Sequence, residues 1–570
     1  MSFNNNNNDP KSTKNFVIAM CVFMALMFGV DYFTKQSSVQ QASDSGQVIQ
    51  SADVGTQQDI QDAEEKEITV SDALSKNSRI KFENNHIQGS IDLNGGIIDN
   101  LTLKDYKETI ESNSGNVALM IPRNTANQTY FGVSYSDKSN NEEIAEKAVW
   151  VSESDSNTLQ SIQLKTQTQN GLVIERLITF DDHYMITVRD RVHNVSSKDI
   201  VLSPSAYINR YNPKNNNYAV VHEGLVGNIS GKTEEIKYAD VEDHSSYRDT
   251  QWLGYTDIYW LTAIINKDKN TLVNYSKPTD DSYRISTKRK NDINVKPESM
   301  VELSYKIFAG PKDIKVLRDY QASLNLDNFE MAIDFGWFFM ITKPLIILMD
   351  IFAKIFSNMG FVILLLTLLF KVITYPLTKK SVMSAAKMKE VQPKIAQIQK
   401  MYAYDKMRLN QELIALYKKE QISPMSGCLP MLLQAPIFFC LYKVFFISIE
   451  MRHAPLFGWI KDLSAPDGLY LFNLFGLIDW TPPSFLQIGL WPLIMGATMF
   501  LQQKMTSASK NKSIEKTKEQ KMQENMMLVL PLMFTYICAS FPVGVVVYWT
   551  ISNIFGIIQQ QMANKKLSVK

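Results

Sequence analysis

NMGFVILLLTLLFKVITYPLTKK, residues 358–380, decides the architecture. Its stretch 358–376 carries one charge, Lys371. At a rise of ~1.5 Å per residue that stretch matches a hydrocarbon core of ~30 Å, so the segment reads as a transmembrane helix. An ammonium near mid-bilayer costs about 2.5–3.5 kcal/mol on insertion scales. Two explanations stand: Lys371 snorkels toward Lys379 and Lys380 at the boundary, or a bundle holds it in a wet interior. Thr367 and Thr374 lie at i−4 and i+3, on the face that carries Lys371, which favours the second.

Toward the C-terminus, residues 377–424 hold ten Lys and Arg against four acids. Met388, Val391, Ile395, Ile398 and Met401 recur at helical spacing, and Leu409, Leu413, Leu416 and Tyr417 repeat the pattern after Asp405. This predicts two amphipathic, antiparallel helices in a basic hairpin. The hairpin is either a solvated element whose charges set topology or a docking arm for anionic lipid, ribosomal RNA or an acidic partner. Further spans are expected at 425–448 and 485–503, joined by a loop, 449–484, with few basic residues. A second basic loop, 504–524, follows. Residues 525–563 contain no charge and are interrupted by Ser540-Phe541-Pro542, which predicts two short spans, 525–540 and 543–563. The tail 564–570 is again basic.

Toward the N-terminus, residues 326–357 include FGWFFMITKPLIILMDIFAKIF, whose Lys343, Asp350 and Lys354 fall within about 40° of one another on a helical wheel. That narrow polar stripe, with Trp337 as an anchor, predicts an amphipathic helix lying in the membrane interface. Residues 78–325 alternate apolar and polar, as in Tyr184-Ile186-Val188 and Val301-Leu303-Tyr305-Ile307, with Gly, Asn, Asp and Pro between the runs. Such a pattern predicts a large antiparallel β-sandwich. Residues 34–77, rich in Ser, Gln and acids, read as a flexible linker. The stretch 16–33 reads as an uncleaved anchor, because the bulky Phe28-Gly29-Val30-Asp31-Tyr32-Phe33 offers no small-residue cleavage site, and 1–15 as a short tail. Met20 before Cys21 disfavours a lipoprotein signal.

Charge orients the whole. Residues 36–334 carry 31 Lys and Arg against 44 Asp and Glu, net −13, and the remainder is net +14, which together give the chain's +1. The positive-inside rule places both termini and both basic loops in the cytoplasm and the acidic block, 34–357, outside. Six spans result: the anchor plus a core of five.

Signatures of common chemistry are absent: there is no phosphate-binding loop, HExxH, GxSxG or dinucleotide fingerprint. The six histidines are scattered, and no Cys spacing among Cys21, Cys428, Cys440 and Cys538 suggests a zinc or redox site. No cofactor and no enzymatic reaction are expected. Other spans supply the polar residues Gln434, Tyr548, Ser552 and Asn553, with Tyr548 and Ser552 at i, i+4. Pointed inward with Thr367, Lys371 and Thr374, they would line a polar cavity around one positive charge. No Asp or Glu lies in any of the five core spans, which disfavours proton- or sodium-coupled transport. An intramembrane protease pairing a Ser with Lys371 would leave the basic hairpin without a role. Lys443, nearer the external end of its helix, is expected to snorkel.

Several runs resemble the YidC membrane protein insertase family: YPLTKK (375–380) leading into AKMKEVQPKI, LYKKEQISPMSGCLPMLLQAPIFFCLY (416–442), MGATMFLQQKM (495–505) and FPVGVVVYWTISNIFGIIQQQ (541–561). GSIDLNGGIIDNLTLKDY (89–106) and YKIFAGPKDIKVL (305–317) are similar to the large periplasmic domain of the Gram-negative type. The resemblance implies a bacterial inner-membrane protein that inserts nascent membrane proteins, alone or with the Sec translocon. It further implies a five-helix core around a hydrophilic groove open to the cytoplasm and carrying one positive residue. Lys371 occupies that position, where the family usually has Arg. Lys keeps the charge without the planar five-donor fork, which favours a plain electrostatic role. Implied partners are nascent membrane proteins, the Sec translocon, the ribosome through the basic loops, and anionic lipids.

Overall fold

The computed structural model describes residues 68–568 except 139–141, 154–159, 214–220, 242–248, 280, 337, 357, 421–428 and 508–528. The expected anchor 16–33, most of the linker 34–77, Trp337, Cys21, Cys428 and most of the basic loop 504–524 lie outside the described residues. Two compact units emerge, a β unit ending at Asp334 and a helical unit from Phe335 onward.

The β unit is built from two antiparallel sheets, one of ten strands and one of nine. Period-2 patterning is what the sheets require. In Met185–Asn194, which pairs with both Leu172–Phe180 and Met300–Pro311, Val188 sits opposite Ile178 on one side and Tyr305 on the other. Ile174, Ile178, Ile186, Val188, Leu303 and Ile307 are buried, as are Ile98, Leu101, Phe131 and Val133 of the other sheet. One polar network crosses this core. Arg176 donates from Nε and Nη2 to the two carboxylate oxygens of Asp190 at 2.8 and 2.7 Å, Trp150 covers the guanidinium face at 4.3 Å, and Tyr135 of the opposite sheet bonds Asp190. Arg176 also donates to the backbone carbonyls of Gly96 and Val133 at 3.0 and 3.3 Å, so the buried charges are fully coordinated.

The folded region starts before the expected boundary at 78. Helix α1, Val70–Lys76, lies within the stretch expected to be linker; Thr69 caps it by accepting from the Asp72 amide, and Ala73 is buried. The composition of residues 34–77 conceals this short capped turn, because one capping pair and one small apolar residue suffice for it. At the other end, α2 (Ile314–Leu324) begins at an Asp313 cap that accepts from two backbone amides, and Ile314, Leu317 and Tyr320 face the core.

The helical unit opens with α3, Phe339–Ile355. Its Lys354 pairs with Asp350 at 2.6 Å on the expected polar stripe, while Thr342, Leu345, Ile346 and Met349 form the buried side. Helix α4 runs without interruption from Met359 to Met401. The expected boundary between a span at 358–376 and a separate hairpin helix is therefore absent: one helix of ~64 Å continues through Pro376 and Pro393. Threonine hydroxyls bond carbonyls around the first proline, Thr374 to Phe370 at 2.8 Å and Thr378 to Thr374 at 3.0 Å. An interior proline removes one amide donor, that to the carbonyl four residues earlier, and the helix continues past both positions all the same. Helix α5, Lys406–Lys419, folds back on α4. Val391 and Ile395 are buried against Met388, Leu413, Leu416 and Tyr417, and Lys394 pairs with Glu420 at 2.8 Å.

Helices α6 (Leu429–Ile447), α7 (Leu490–Ser507), α8 (Val529–Ser540) and α9 (Val543–Ser568) complete the unit. Among the described residues, 359–381 and 543–562 are long and apolar enough to cross a membrane, and Pro436–Ile447 and Val529–Ser540 are shorter apolar helices. Met495, Phe534, Cys538 and Val546 make a shared core with Trp491, Phe541 and Trp549 around it. Gly496 and Gly556 permit close helix approach: a Cβ there would fall 2.0 Å from Thr535 Oγ1 and 2.4 Å from Gln502 Nε2 respectively. Cys440 and Cys538 are buried free thiols, as expected of cysteines acting as small hydrophobes.

Candidate functional site

Helix α4 offers one buried face, Val362, Ile363, Leu366 and Thr367, while Phe361, Val372 and Ile373 look outward. Lys371, one turn beyond Thr367, lies at the flank of that face and is half-buried. Among the described residues it has neither an ion-pair nor a hydrogen-bond partner.

The polar residues expected to surround it divide into groups. Gln434 of α6 donates from Nε2 to the Tyr548 hydroxyl of α9 at 2.8 Å, and Ser552, one turn along α9, is buried. This joins two of the expected residues across two helices. Asn553 turns elsewhere and donates to Thr498 Oγ1 of α7 at 3.3 Å. Thr498, which belongs to the same polar belt, escaped the sequence reading; it lies in the segment GATMF, where a lone hydroxyl among small and apolar residues gives no periodic signal.

The two threonines flanking Lys371 depart from expectation in one respect. Thr367 is fully buried and donates to the Ile363 carbonyl at 2.7 Å, and Thr374 donates to Phe370. Their protons are committed to their own helix, so only their oxygen lone pairs remain for a guest. Lys443, expected to snorkel, is 7% exposed, with its side-chain end beside Gly336 at the start of the helical unit.

Among the described residues no group of three His, Cys, Asp or Glu could hold a metal ion. His86 and His183 stack at 5.2 Å in the β unit, with His86 Nδ1 on Asp105 at 2.5 Å. His222, half-buried, approaches the Leu225 carbonyl through Nε2 at 2.8 Å, and its burial holds its pKa below the ordinary imidazole value. Burial and the adjacent Arg452 lower that of His453 likewise.

Comparison with known proteins decides the family. Residues 351–570 match the family described as 60Kd inner membrane protein, and residues 79–348 match the YidC periplasmic domain. The membrane protein insertase YidC of Rickettsia rickettsii (strain Iowa) is 36% identical over 562 residues, covering 97% of this chain and 99% of its own. The chain belongs to the YidC membrane protein insertase family. The YidC insertase of Sinorhizobium medicae (strain WSM419) is 37% identical over 510 residues, 87% of this chain and 84% of its own. A crystal structure titled as an active YidC insertase with its first transmembrane domain resolved is 16% identical, spans 85% of this chain and 92% of its own, and superposes with a TM-score of 0.36. Membership makes this an inner-membrane protein with a periplasmic β-sandwich domain and a helical membrane region. The family is one of insertases and not of enzymes, in line with the missing catalytic signatures.

Proposed function

We propose that this chain integrates inner-membrane proteins and helps them fold, alone or beside the Sec translocon, through a hydrophilic groove open to the cytoplasm. Lys371 supplies the groove's single positive charge, and Thr367, Thr374, Gln434, Tyr548, Ser552 and Asn553 supply its polar lining. The observation that carries this reading is the pairing of Gln434 with Tyr548 across two helices in the unit that also holds Lys371, which has no partner among the described residues. Polar groups inside a membrane bundle are expensive and mark a path for a polar guest.

In this mechanism no covalent bond changes. An incoming hydrophobic segment slides along the apolar faces of α6 and α8, the latter of which exposes Val529, Leu532 and Tyr536. Its polar flank meanwhile enters the groove, where hydroxyls, amides and water replace its hydration, and Lys371 attracts its acidic residues. The membrane potential adds ~2.3 kcal/mol per charge per 100 mV for an acidic flank moving outward. Release into lipid follows from the segment's own hydrophobicity.

The topology that serves this mechanism has six spans, cytoplasmic termini and residues 34–357 in the periplasm. The basic hairpin, which α4 and α5 build, and the loop 504–524 then face the cytoplasm, placed to meet the ribosome and anionic headgroups. The test is reconstitution of the purified chain into vesicles with a short, acidic-tailed client. Insertion leaves full-length client with its translocated tail protected from protease outside the vesicle. Solute flux or a cleaved client would instead point to a channel or a protease.

A further inference from the structure

The connection between α6 and α7 has two halves of opposite character. Residues 449–468 carry Glu450, Arg452, Lys461, Asp462 and Asp467, yet bury Met451, Leu456 and Leu463. Residues 469–489 carry one charge, Asp479, yet turn their apolar side chains outward. Phe472, Leu474, Leu477, Ile478, Trp480 and Phe485 are all exposed, Leu477 to 84%. An apolar patch of this extent facing water is strongly unfavourable, at about 25 cal/mol per Å².

This display is built into the fold. The buried Asp467 carboxylate accepts from the Trp459 indole at 2.9 Å and the Leu469 amide at 3.1 Å through one oxygen, and from the Trp491 amide at the start of α7 at 2.7 Å through the other. Above that clamp the base closes as a ribbon: Leu471 N donates to the Ile488 carbonyl at 2.9 Å and Leu490 N to that of Leu469 at 3.1 Å. At the tip Leu474 and Phe475 take φ of 51° and 57°, followed by Gly476 at 86°. Left-handed backbone costs about 1–2 kcal/mol at each non-glycine residue. The turn persists because the Phe475 amide reaches the Tyr470 carbonyl at 2.8 Å and the Gly476 amide reaches Asn473 Oδ1 at 3.0 Å.

We propose that residues 469–489 form a membrane thumb whose apolar side chains sit in the bilayer leaflet at the end of the bundle where α6 stops and α7 starts. Continuity with the lipid-facing helices identifies the occupant. The first half of the same connection docks on the start of α4, where Asn358 Nδ2 donates to the Leu456 carbonyl at 2.8 Å, and Phe361 just beyond faces outward. Trp459 and Trp480 are residues that favour the headgroup boundary. With no Lys or Arg in 469–489, the thumb holds by apolar insertion and not by attraction to anionic headgroups. The inference rests on the helical unit lying in a bilayer and not on the insertion mechanism, so each can fail without the other.

The test uses the full chain with its four cysteines replaced by Ala and a spin label at Leu477→Cys, in phosphatidylcholine vesicles. Phe361→Cys and Tyr404→Cys give the lipid and aqueous references. The expected result is an oxygen-to-nickel collision ratio at 477 several-fold above that at 404, close to that at 361, and unchanged by added anionic lipid or high salt. A ratio equal to that at 404 overturns the proposal, and so does low collision with both reagents, which would place a protein partner or a second copy over the thumb. In the chain with its native cysteines, brominated lipid should quench a fluorescence component that Trp480→Phe removes. Identical quenching of the two proteins overturns the proposal as well.

Discussion

Reversing the charge at Lys371 is the perturbation whose effect the structure sizes best. The side chain is half-buried and has no counter-ion among the described residues, so a carboxylate passing on a client flank meets its field directly. At a separation of ~6 Å the attraction is about 3 kcal/mol for an effective dielectric of ~20, and about 1 kcal/mol where water screens more strongly. Lys371→Glu turns attraction into repulsion of the same size, a change of at least about 2 kcal/mol. At 1.4 kcal/mol per tenfold, insertion of a client with one acidic residue in its flank should slow by ~30-fold or more. Lys371→Arg should retain the native rate, since the attraction needs charge and not the guanidinium fork. The assay is protease protection of translated clients in vesicles holding purified variants, with acidic and neutral flanks run in parallel. Equal rates for Lys371→Glu and the native protein on the acidic client would refute the electrostatic role. Equal loss on both clients would show that the substitution broke the fold and not an attraction.

Other outcomes follow from the same contacts. Gln434→Leu and Tyr548→Phe each break one hydrogen bond, and a double-mutant cycle on thermal unfolding in detergent should give a coupling of about 1 kcal/mol, with a value near zero excluding the pair as a unit. Arg176→Met strands the buried Asp190 and should destabilise the β unit by about 3–5 kcal/mol in denaturant unfolding, and combining it with Asp190→Leu should restore most of that loss. The lowered pKa of His222 means that the unfolded chain binds its proton more readily than the folded one. Its contribution to stability is therefore intact above an unfolded value near 6.5 and is lost as the pH falls through the folded value, so His222→Gln should flatten the acid limb of the stability profile. Ile395→Asp should separate α5 from α4 and expose the turn at Tyr404 to limited proteolysis, leaving the spans resistant.

Alternation made the β unit readable before any coordinates: Tyr184, Ile186 and Val188 are buried, and because Met185 and Thr187 between them are buried too, the strand there is covered on both faces. The hairpin was readable at helical period: Val391 and Ile395 are buried on one helix, and Leu413 and Leu416 of the other, half-buried, pack against them. Continuity through Pro376 was not, since local propensity marks a break there while α4 runs on to Met401. At the candidate site, residue types announced themselves because polar groups are conspicuous in apolar spans, but their pairing did not. Gln434 and Tyr548 meet across 114 positions of chain, and Asn553 chose Thr498 instead of them. Lys443 shows the limit most plainly. Its position near a helix end suggests a solvated ammonium, whereas its burial depends on the helices packed around α6, which sequence spacing does not encode.

The central proposal is that a client's polar flank passes both the Gln434–Tyr548 pair and Lys371 on its way into the membrane. A photoreactive amino acid at position 434, in full-length protein engaged with a ribosome carrying a stalled membrane-protein chain, tests it most directly. The account predicts crosslinks from 434 to the flank beside the client's first hydrophobic segment, growing and then fading as the chain lengthens. Crosslinks only from an outward-facing position such as Phe361, with none from 434 at any chain length, would contradict it.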